Sequence, residues 1–303
     1  MNVKSQFSIK DLENLSGVKA HTIRIWEKRY DLLCPQRTET NIRTYNLDSL
    51  KKLLNVTFLY NDGHKISKIA GLSENEIENL VEGKAVASKQ EYAIKVLKTA
   101  MFDFDEHLFL KIYQDYLSEK TFNEIFFEVF IPLLTDIGML WQTGTIEPSH
   151  ESFISELIRR KVIVNIEWAV GNFKKAGDMR FVLFLPYEEI HEIGLLYTNY
   201  KLISAGYRTI YLGGNIPLNS LDKLAKLQGD IIFVSYVTML PEGKSIYDYI
   251  DNYQEIVSKK KNCALWLLGN KAQIVDQEQI PSNVKILNNL PHLMDRLKEL
   301  KNK

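Results

Sequence analysis

One histidine stands among three acids in the run Leu185-Pro186-Tyr187-Glu188-Glu189-Ile190-His191-Glu192-Ile193-Gly194. The run begins on the apolar, β-rich stretch RFVLFLP, so it belongs to a loop leaving the carboxyl end of a strand. A histidine in that place can be a structural loop residue, a general base or a metal ligand. A base would need a nucleophile or a phosphate-binding glycine loop beside it, and neither accompanies it. For ligation the chemistry is apt, because imidazole is the usual protein ligand of a borderline metal. A nearby carboxylate can also hydrogen-bond its distal ring nitrogen and raise its basicity. The residues alone leave the structural and the ligand readings both open.

A second set lies near the N-terminus at helical spacing. Over Lys19–Tyr30 the apolar Ile23, Trp26 and Tyr30 fall at i, i+3 and i+7, while His21, Arg24 and Lys28 repeat that spacing on the opposite side. An aromatic inner face with a basic outer face, following the turn residue Gly17, suits a recognition helix in a DNA major groove, although an ordinary solvated helix can show the same wheel. Pro35 ends the helical pattern. From Arg37 to Arg43 the chain reads as a small β-hairpin wing whose arginines could hold phosphates, which supplies affinity rather than sequence reading.

The elements that must position these groups follow from pattern. Ser8 and Asp11 form a capping box for a first short helix, and Leu47–Asn61 and Lys65–Leu72 read as a third and a fourth. Residues 74–90 are polar and charged and read as a linker with one short helical piece. Four helical stretches then follow, at Lys89–Phe102, Asp105–Leu117, Phe122–Trp141 and Ser149–Ala169, with Phe122, Phe126, Phe130 and Leu133 at helical spacing, and predict a four-helix bundle. Farther on, the runs RFVLFLP, RTIYLG, DIIFVSYV, ALWLLGN and VKILNN alternate with helical stretches and predict a doubly wound parallel α/β sheet, Rossmann-like or flavodoxin-like. The fold class is thus multidomain α and α/β: a winged helix-turn-helix head at 1–79, a four-helix bundle at 88–173 and an α/β domain at 179–303.

Charge is unevenly placed. The chain has 38 Lys+Arg and 38 Asp+Glu, yet the first 72 residues hold 12 of the bases and only 7 of the acids. A basic head on an acidic body is the outline of a nucleic-acid binder. The two cysteines, Cys34 and Cys263, have no metal-ligand spacing and fit a reducing compartment. The N-terminus lacks a signal-peptide core, and no apolar run approaches the ~20 residues of a membrane span, so a cytoplasmic protein without a membrane partner is expected.

The run FSIKDLENLSGVKAHTIRIWEKRYDLLCPQRTETNIRTYNLDSLKKL resembles the MerR family of transcription regulators over about 70 residues. HTIRIWEKRY followed by PQRT, and then by Arg43 and Tyr45, is especially similar to the subgroup that carries cobalamin sensors. The resemblance implies binding of double-stranded promoter DNA at palindromic sites by a homo-oligomer. It puts Lys19, His21, Thr22, Arg24 and Lys28 at the DNA, with Arg37, Arg43 and Tyr45 in the wing.

The corner from Trp141 to Glu151 is similar to the helical cap that precedes a cobalamin-binding domain, through Trp141, Gly144, Ile146 and Glu151. Gln142 and Ser152 depart from the histidines of light-sensing members. Glu189-x-His191-x-x-Gly194 resembles the lower-ligand motif of such domains, implying His191 as the cobalt ligand and Glu189 as the acid that orients it. Ser235-Tyr236-Val237 and Gly269-Asn270 stand where the motifs contacting the nucleotide tail lie, with Ser235 and Gly269 matching and Val237 and Asn270 altered. By resemblance, then, the protein is a non-enzymatic regulator, expected to repress. Its operator binding is controlled by cobalamin, as adenosylcobalamin or another form, with a light response as the inherited extension. The alternatives are a cofactor-free sensor bound by a protein antirepressor and, more remotely, a corrinoid methyl carrier.

Overall fold

The N-terminal segment folds because each end of each short element is locally satisfied. Strand β1 (Gln6–Phe7) leads into α1 (Ile9–Ser16), where the Ser8 and Asp11 side chains exchange hydrogen bonds with each other's backbone as the expected capping box. Gly17 closes the helix at φ 74°, a left-handed conformation that favours glycine, with its N–H on the Glu13 carbonyl. Helix α2 (Ala20–Tyr30) follows, then β2 (Gln36–Arg37) and β3 (Arg43–Asn46), and a three-stranded antiparallel sheet forms in the order β1-β3-β2. Asn41, at φ 64°, makes the wing's turn in a conformation that asparagine tolerates. Helix α3 (Leu47–Asn61), capped by Asn46, contributes Leu50, Leu53, Val56 and Leu59 to the head's core, and α4 is a single turn (Ile66–Ile69), shorter than the expected Lys65–Leu72. The structure is a computed structural model that describes residues 6–84, 89–240, 245–258 and 263–301; the expected domain limits at Met1, Ser88 and Lys303 lie outside the described residues.

The short helical piece expected in the linker is an eleven-residue helix. In α5 (Glu74–Lys84), Ile77 and Val81 are 1% and 2% exposed one turn apart, and the helix packs on α3. Its composition is polar because only those two positions face inward. After it come α6 (Lys89–Asp103) and α7 (Glu106–Leu117). The expected Phe122–Trp141 helix is α8 (Phe122–Ile125), a π-helical turn (Phe126–Phe130) and α9 (Ile131–Gln142). The long α10 (Pro148–Gly171) completes the set. Phe109, Phe126 and Phe130 are fully buried, and the aromatic spacing seen in the sequence is core. The head and these helices, up to Ile158, form one compact unit, and Arg159–Lys303 forms a second.

In the second unit five parallel strands, β4 (Arg180–Phe184), β5 (Arg208–Gly213), β6 (Ile231–Tyr236), β7 (Ala264–Leu268) and β8 (Val284–Ile286), lie in the order β5-β4-β6-β7-β8. This is the flavodoxin-like winding. Its first strand is flanked by the second on one side and the third on the other, which makes the switch-point crevice where such sheets bind ligands. Val182, Phe184 and Phe233 face α12 (Asp222–Ala225) and α13 (Ile246–Tyr253) on one side of the sheet. Phe181, Leu183 and Val234 face α11 (Glu192–Ser204) and α14 (Leu290–Lys301) on the other. Buried on both faces, the strands read as continuous apolar runs, as a parallel sheet requires.

Ile77→Ala should cost about 2–4 kcal/mol of stability, because a fully buried isoleucine on α5 leaves a cavity against α3. Urea unfolding followed by far-UV circular dichroism checks it, and a loss under ~0.5 kcal/mol would return the segment to linker status.

Candidate functional site

Helix α2 turns Ile23 and Trp26 inward, 0% and 4% exposed, and Trp26 meets Tyr60 of α3 edge-on at 5.2 Å. That packing leaves Lys19, His21, Arg24 and Lys28 exposed and Thr22 half-buried, so the basic stripe stands on the outer face as its spacing demanded. Lys19 is also ion-paired with Glu13 at 3.2 Å. On the wing Arg37 is exposed, and its Nη1 donates to Asn41 Oδ1 at 2.6 Å.

Two wing residues are placed otherwise than the sequence suggested. Tyr45 is 1% exposed, with its hydroxyl donating to Glu27 of α2. Burial first, and then that bond, push its phenol up, so Tyr45 is a core residue that fastens the wing to the recognition helix and does not present its ring to DNA. Arg43 is half-buried with Nε 3.4 Å from the same Glu27 carboxylate, which takes up part of the charge expected to hold a phosphate. Glu27, a residue the sequence did not single out, is the acid on which helix and wing converge.

In the corner after α9, Trp141 is 53% exposed, and Gly144 takes φ 64°, which its residue type allows. Thr145 is fully buried and accepts a hydrogen bond from Asn14 of α1 at 2.9 Å, and Ile146 is 4% exposed. Glu151 is half-buried in the first turn of α10.

At the carboxyl end of β4 the structure assembles a tight polar cluster. The Glu189 side chain is 0% exposed, whereas the His191 imidazole is 54% exposed. Four backbone N–H groups donate to the carboxylate: Ile190 and His191 at 3.0 Å to Oε1, Thr238 at 2.6 Å and Met239 at 2.9 Å to Oε2. His191 Nδ1 lies 2.6 Å from Glu189 Oε1, and the Thr238 hydroxyl donates to Oε2 at 2.7 Å while standing 2.7 Å from the same Nδ1. Burial raises the carboxyl's pKa, but the bonds from the His191 ring, the backbone and Thr238 outweigh it and hold it at about 2. A carboxylate that stays ionised there keeps the proton on Nδ1 and leaves Nε2 as the lone-pair nitrogen, the tautomer a metal ligand needs. The neighbouring Glu192 is tied to Arg159 Nε at 3.2 Å and receives the Tyr211 hydroxyl at 2.8 Å, which anchors the first turn of α11 beside the histidine.

Thr238 escaped the sequence reading. It follows the altered third position of Ser235-Tyr236-Val237, and only the register of β6 beside β4 brings it to Glu189. Ser235 is fully buried on the other side of the sheet, beside the Tyr249 hydroxyl, and neither oxygen makes a well-formed hydrogen bond. Gly194 and Gly269 each meet a close neighbour. A Cβ at 194 would stand 2.9 Å from Tyr236 Cε1, and one at 269, where φ is 100°, would stand 2.6 Å from the Val237 carbonyl oxygen. Gly269 therefore is required by the chain's own backbone at the end of β6, whatever room it makes for a ligand.

Comparison with known proteins accords with this architecture. Residues 7–76 match the MerR HTH family regulatory protein, and residues 93–164 match the B12 binding domain. The chain is similar to the HTH-type transcriptional repressor CarH of Myxococcus xanthus, 26% identical over 276 residues covering 88% of this chain and 90% of that one. It is also similar to the repressor CarA of the same organism, 24% identical and covering 76% of each chain. Among solved structures, the monomethylamine corrinoid protein of Methanosarcina barkeri shares the fold, with a TM-score of 0.55 at 14% identity over 67% of this chain and 96% of that one. Among the described residues no helix is long and apolar enough to cross a membrane.

Because the Glu189 carboxyl is depressed from 4.5 to about 2, its stabilising contribution is complete above pH 4.5 and is lost as pH falls from there toward 2. Glu189→Gln should therefore lower stability at pH 7 by up to about 3 kcal/mol and flatten the acid limb across that window. Urea titrations of both proteins at pH 7, 4 and 3 test this, and curves that stay parallel would show that the carboxylate is not held as described.

Proposed function

We propose that this chain, which joins a MerR-type DNA-binding head to a B12 binding domain, is a transcriptional repressor whose operator binding is controlled by cobalamin held by His191. The observation that carries the reading is the His191–Glu189–Thr238 cluster at the sheet's switch point. It is a half-exposed imidazole whose Nδ1 is fastened to a buried carboxylate at 2.6 Å. An isolated structural histidine would not need so costly a partner, since a carboxylate withdrawn from water must be compensated bond by bond.

The residues present fit a corrinoid on the side of its lower ligand. The donor is an imidazole whose Nδ1 is fastened to Glu189, and Ser235 contributes a buried oxygen without a well-formed bond on the opposite face of β6. Bound cobalamin would supply a cobalt ion that accepts an imidazole nitrogen, and a visible chromophore that reports it. The chain's own part is to hold the ring's orientation through Glu189, to hold Glu189 through Thr238 and four N–H groups, and to fix the start of α11 through Glu192 and Arg159.

At the other end of the chain, Arg24 and Lys28 stand one helical turn apart on the exposed face of α2, where an inserted recognition helix meets base edges and phosphates. A homo-oligomer would present two such helices to the half-sites of a palindrome. The regulatory relatives and the DNA-binding head support a role without catalysis.

A dark titration with adenosylcobalamin and hydroxocobalamin, followed in the visible spectrum beside a His191→Ala control, tests the cofactor. The expected result is a stoichiometric complex with a histidine-ligated spectrum that the variant loses; failure of both forms to bind would remove cobalamin from the reading. A light response is tested on the same complex, and an unchanged spectrum and oligomer size under green light would remove it. In the head, Arg24→Ala should weaken operator binding by about 1–3 kcal/mol, and Lys28→Ala should reduce the salt slope by about one unit. Unchanged affinity in both variants would place the DNA surface elsewhere.

A further inference from the structure

One residue of α2 stands on a side of the helix that its type does not suit. Ile23 and Trp26 are inside, whereas Ile25 is 52% exposed. The basic face surrounds it: His21 lies one turn before it, Arg24 beside it, and Lys28 and Arg29 one turn after it, all four exposed. In the free protein a single exposed isoleucine is ordinary and needs no reason. On DNA its situation changes, because the residues that ring it are those that bring the helix onto the duplex. Once they engage, Ile25 is covered and loses its water whatever lies opposite.

What can lie opposite follows from the chemistry of the groove, and this step rests on reading α2 as the recognition helix. A major groove offers phosphates at its rims and donors and acceptors along its floor, with one aliphatic group, the C5 methyl of thymine. Set against a base carbonyl or amino group, Ile25 would displace water from a polar atom and give no bond in exchange. Set against the methyl, two apolar surfaces leave water together. Its β-branched side chain keeps essentially one χ1 rotamer in a helix, so it reaches the groove already placed. We infer that Ile25 is a specificity-determining residue of the head: it selects a thymine in each half-site by packing on the C5 methyl, and it disfavours cytosine, which presents only hydrogen there.

The test begins with duplexes enriched from a randomised pool by the full chain, in the dark, with and without adenosylcobalamin. The best duplex is then remade with single thymidines replaced by deoxyuridine, which removes the methyl and leaves the base pair intact. The expected result is one thymine per half-site at which the replacement weakens wild-type binding about three- to fivefold, the scale of one buried methyl. Ile25→Ala should lose the same factor on the thymine duplex and nothing further on the deoxyuridine one. Alanine is the better helix former and position 25 is exposed, so α2 is expected to fold in that variant. Ile42→Ala, which removes the exposed isoleucine of the wing, should keep the full dependence on the methyl.

Three results overturn the inference while leaving the DNA-binding head in place. They are enrichment without a fixed thymine in each half-site, a wild type indifferent to every deoxyuridine, and an Ile25→Ala variant that remains as sensitive as the wild type. Loss of the dependence in Ile42→Ala as well overturns it too, since the methyl would then report the pose of the whole head. Enrichment of no duplex under either condition overturns the reading of α2 itself, and this inference with it.

Discussion

A carboxylate withdrawn from water is expensive unless its oxygens are matched donor for donor, and the second unit is organised around one. Glu189 receives donors from both sides of the switch point: Ile190 and His191 on the loop after β4, and Thr238 and Met239 on the loop after β6. Two strand ends that diverge in their connections are thereby clipped to a single side chain. The His191 ring is fixed as a by-product of that clip, since Nδ1 is one more donor to a charge that has to be satisfied. Orientation of the candidate ligand and cohesion of the sheet's carboxyl edge thus rest on the same set of bonds.

The head uses a related device on its own scale. Glu27 sits on α2 between the exposed basic residues, receives the Tyr45 hydroxyl and lies 3.4 Å from Arg43 Nε. An acid on a DNA-binding helix lowers the local positive charge, which works against phosphate affinity. Its geometry shows what is obtained in return: the wing and the recognition helix become one rigid piece, so that bases on α2 and Arg37 on the wing keep a fixed spacing. The surplus of positive charge elsewhere in the first 72 residues, 12 bases against 7 acids, leaves room for that concession.

Patterns that repeat at short range were legible in the sequence. The Ser8–Asp11 capping box, the turn at Gly17, the two faces of α2 and the order of strand and helix in the last third all follow from spacing and residue type. The pairing of Glu189 with His191 was legible too, because the two are neighbours on one loop. What escaped depends on long-range register. Thr238 reaches Glu189 across 49 positions of sequence, and nothing about a threonine after a valine announces it. The helix α5 was read only as a short helical piece in a linker, because two buried positions in eleven leave its composition polar. Tyr45 was assigned to DNA by family resemblance, yet alternation along β3 puts it on the same face as Arg43, where both meet Glu27 and the tyrosine is buried.

How a sensor could act on such a head is constrained by packing within the first unit. Phe7 of β1 meets Phe102 of α6 edge-on at 5.6 Å, and Lys51 of α3 pairs with Asp103 at 2.7 Å. Lys95 of α6 is largely buried, with its ammonium over the Phe58 ring of α3 at 5.6 Å; desolvation pulls its pKa down to about 8. Asn14, on the helix preceding the recognition helix, reaches the buried Thr145 in the corner between α9 and α10. These contacts join the head to the helices that follow by buried aromatic and polar groups, so the head is not a bead on a loose tether. A change in the bundle therefore has two routes to the DNA-binding face. It can carry the head along as part of one body, or it can break this set of contacts and release the head to a new orientation. The second route exposes Phe7 and Phe102 and leaves Lys95 to water, at a cost of several kcal/mol by the burial of two phenyl rings. A ligand would have to supply that much differential affinity between the two states, whereas movement as one body leaves these contacts intact.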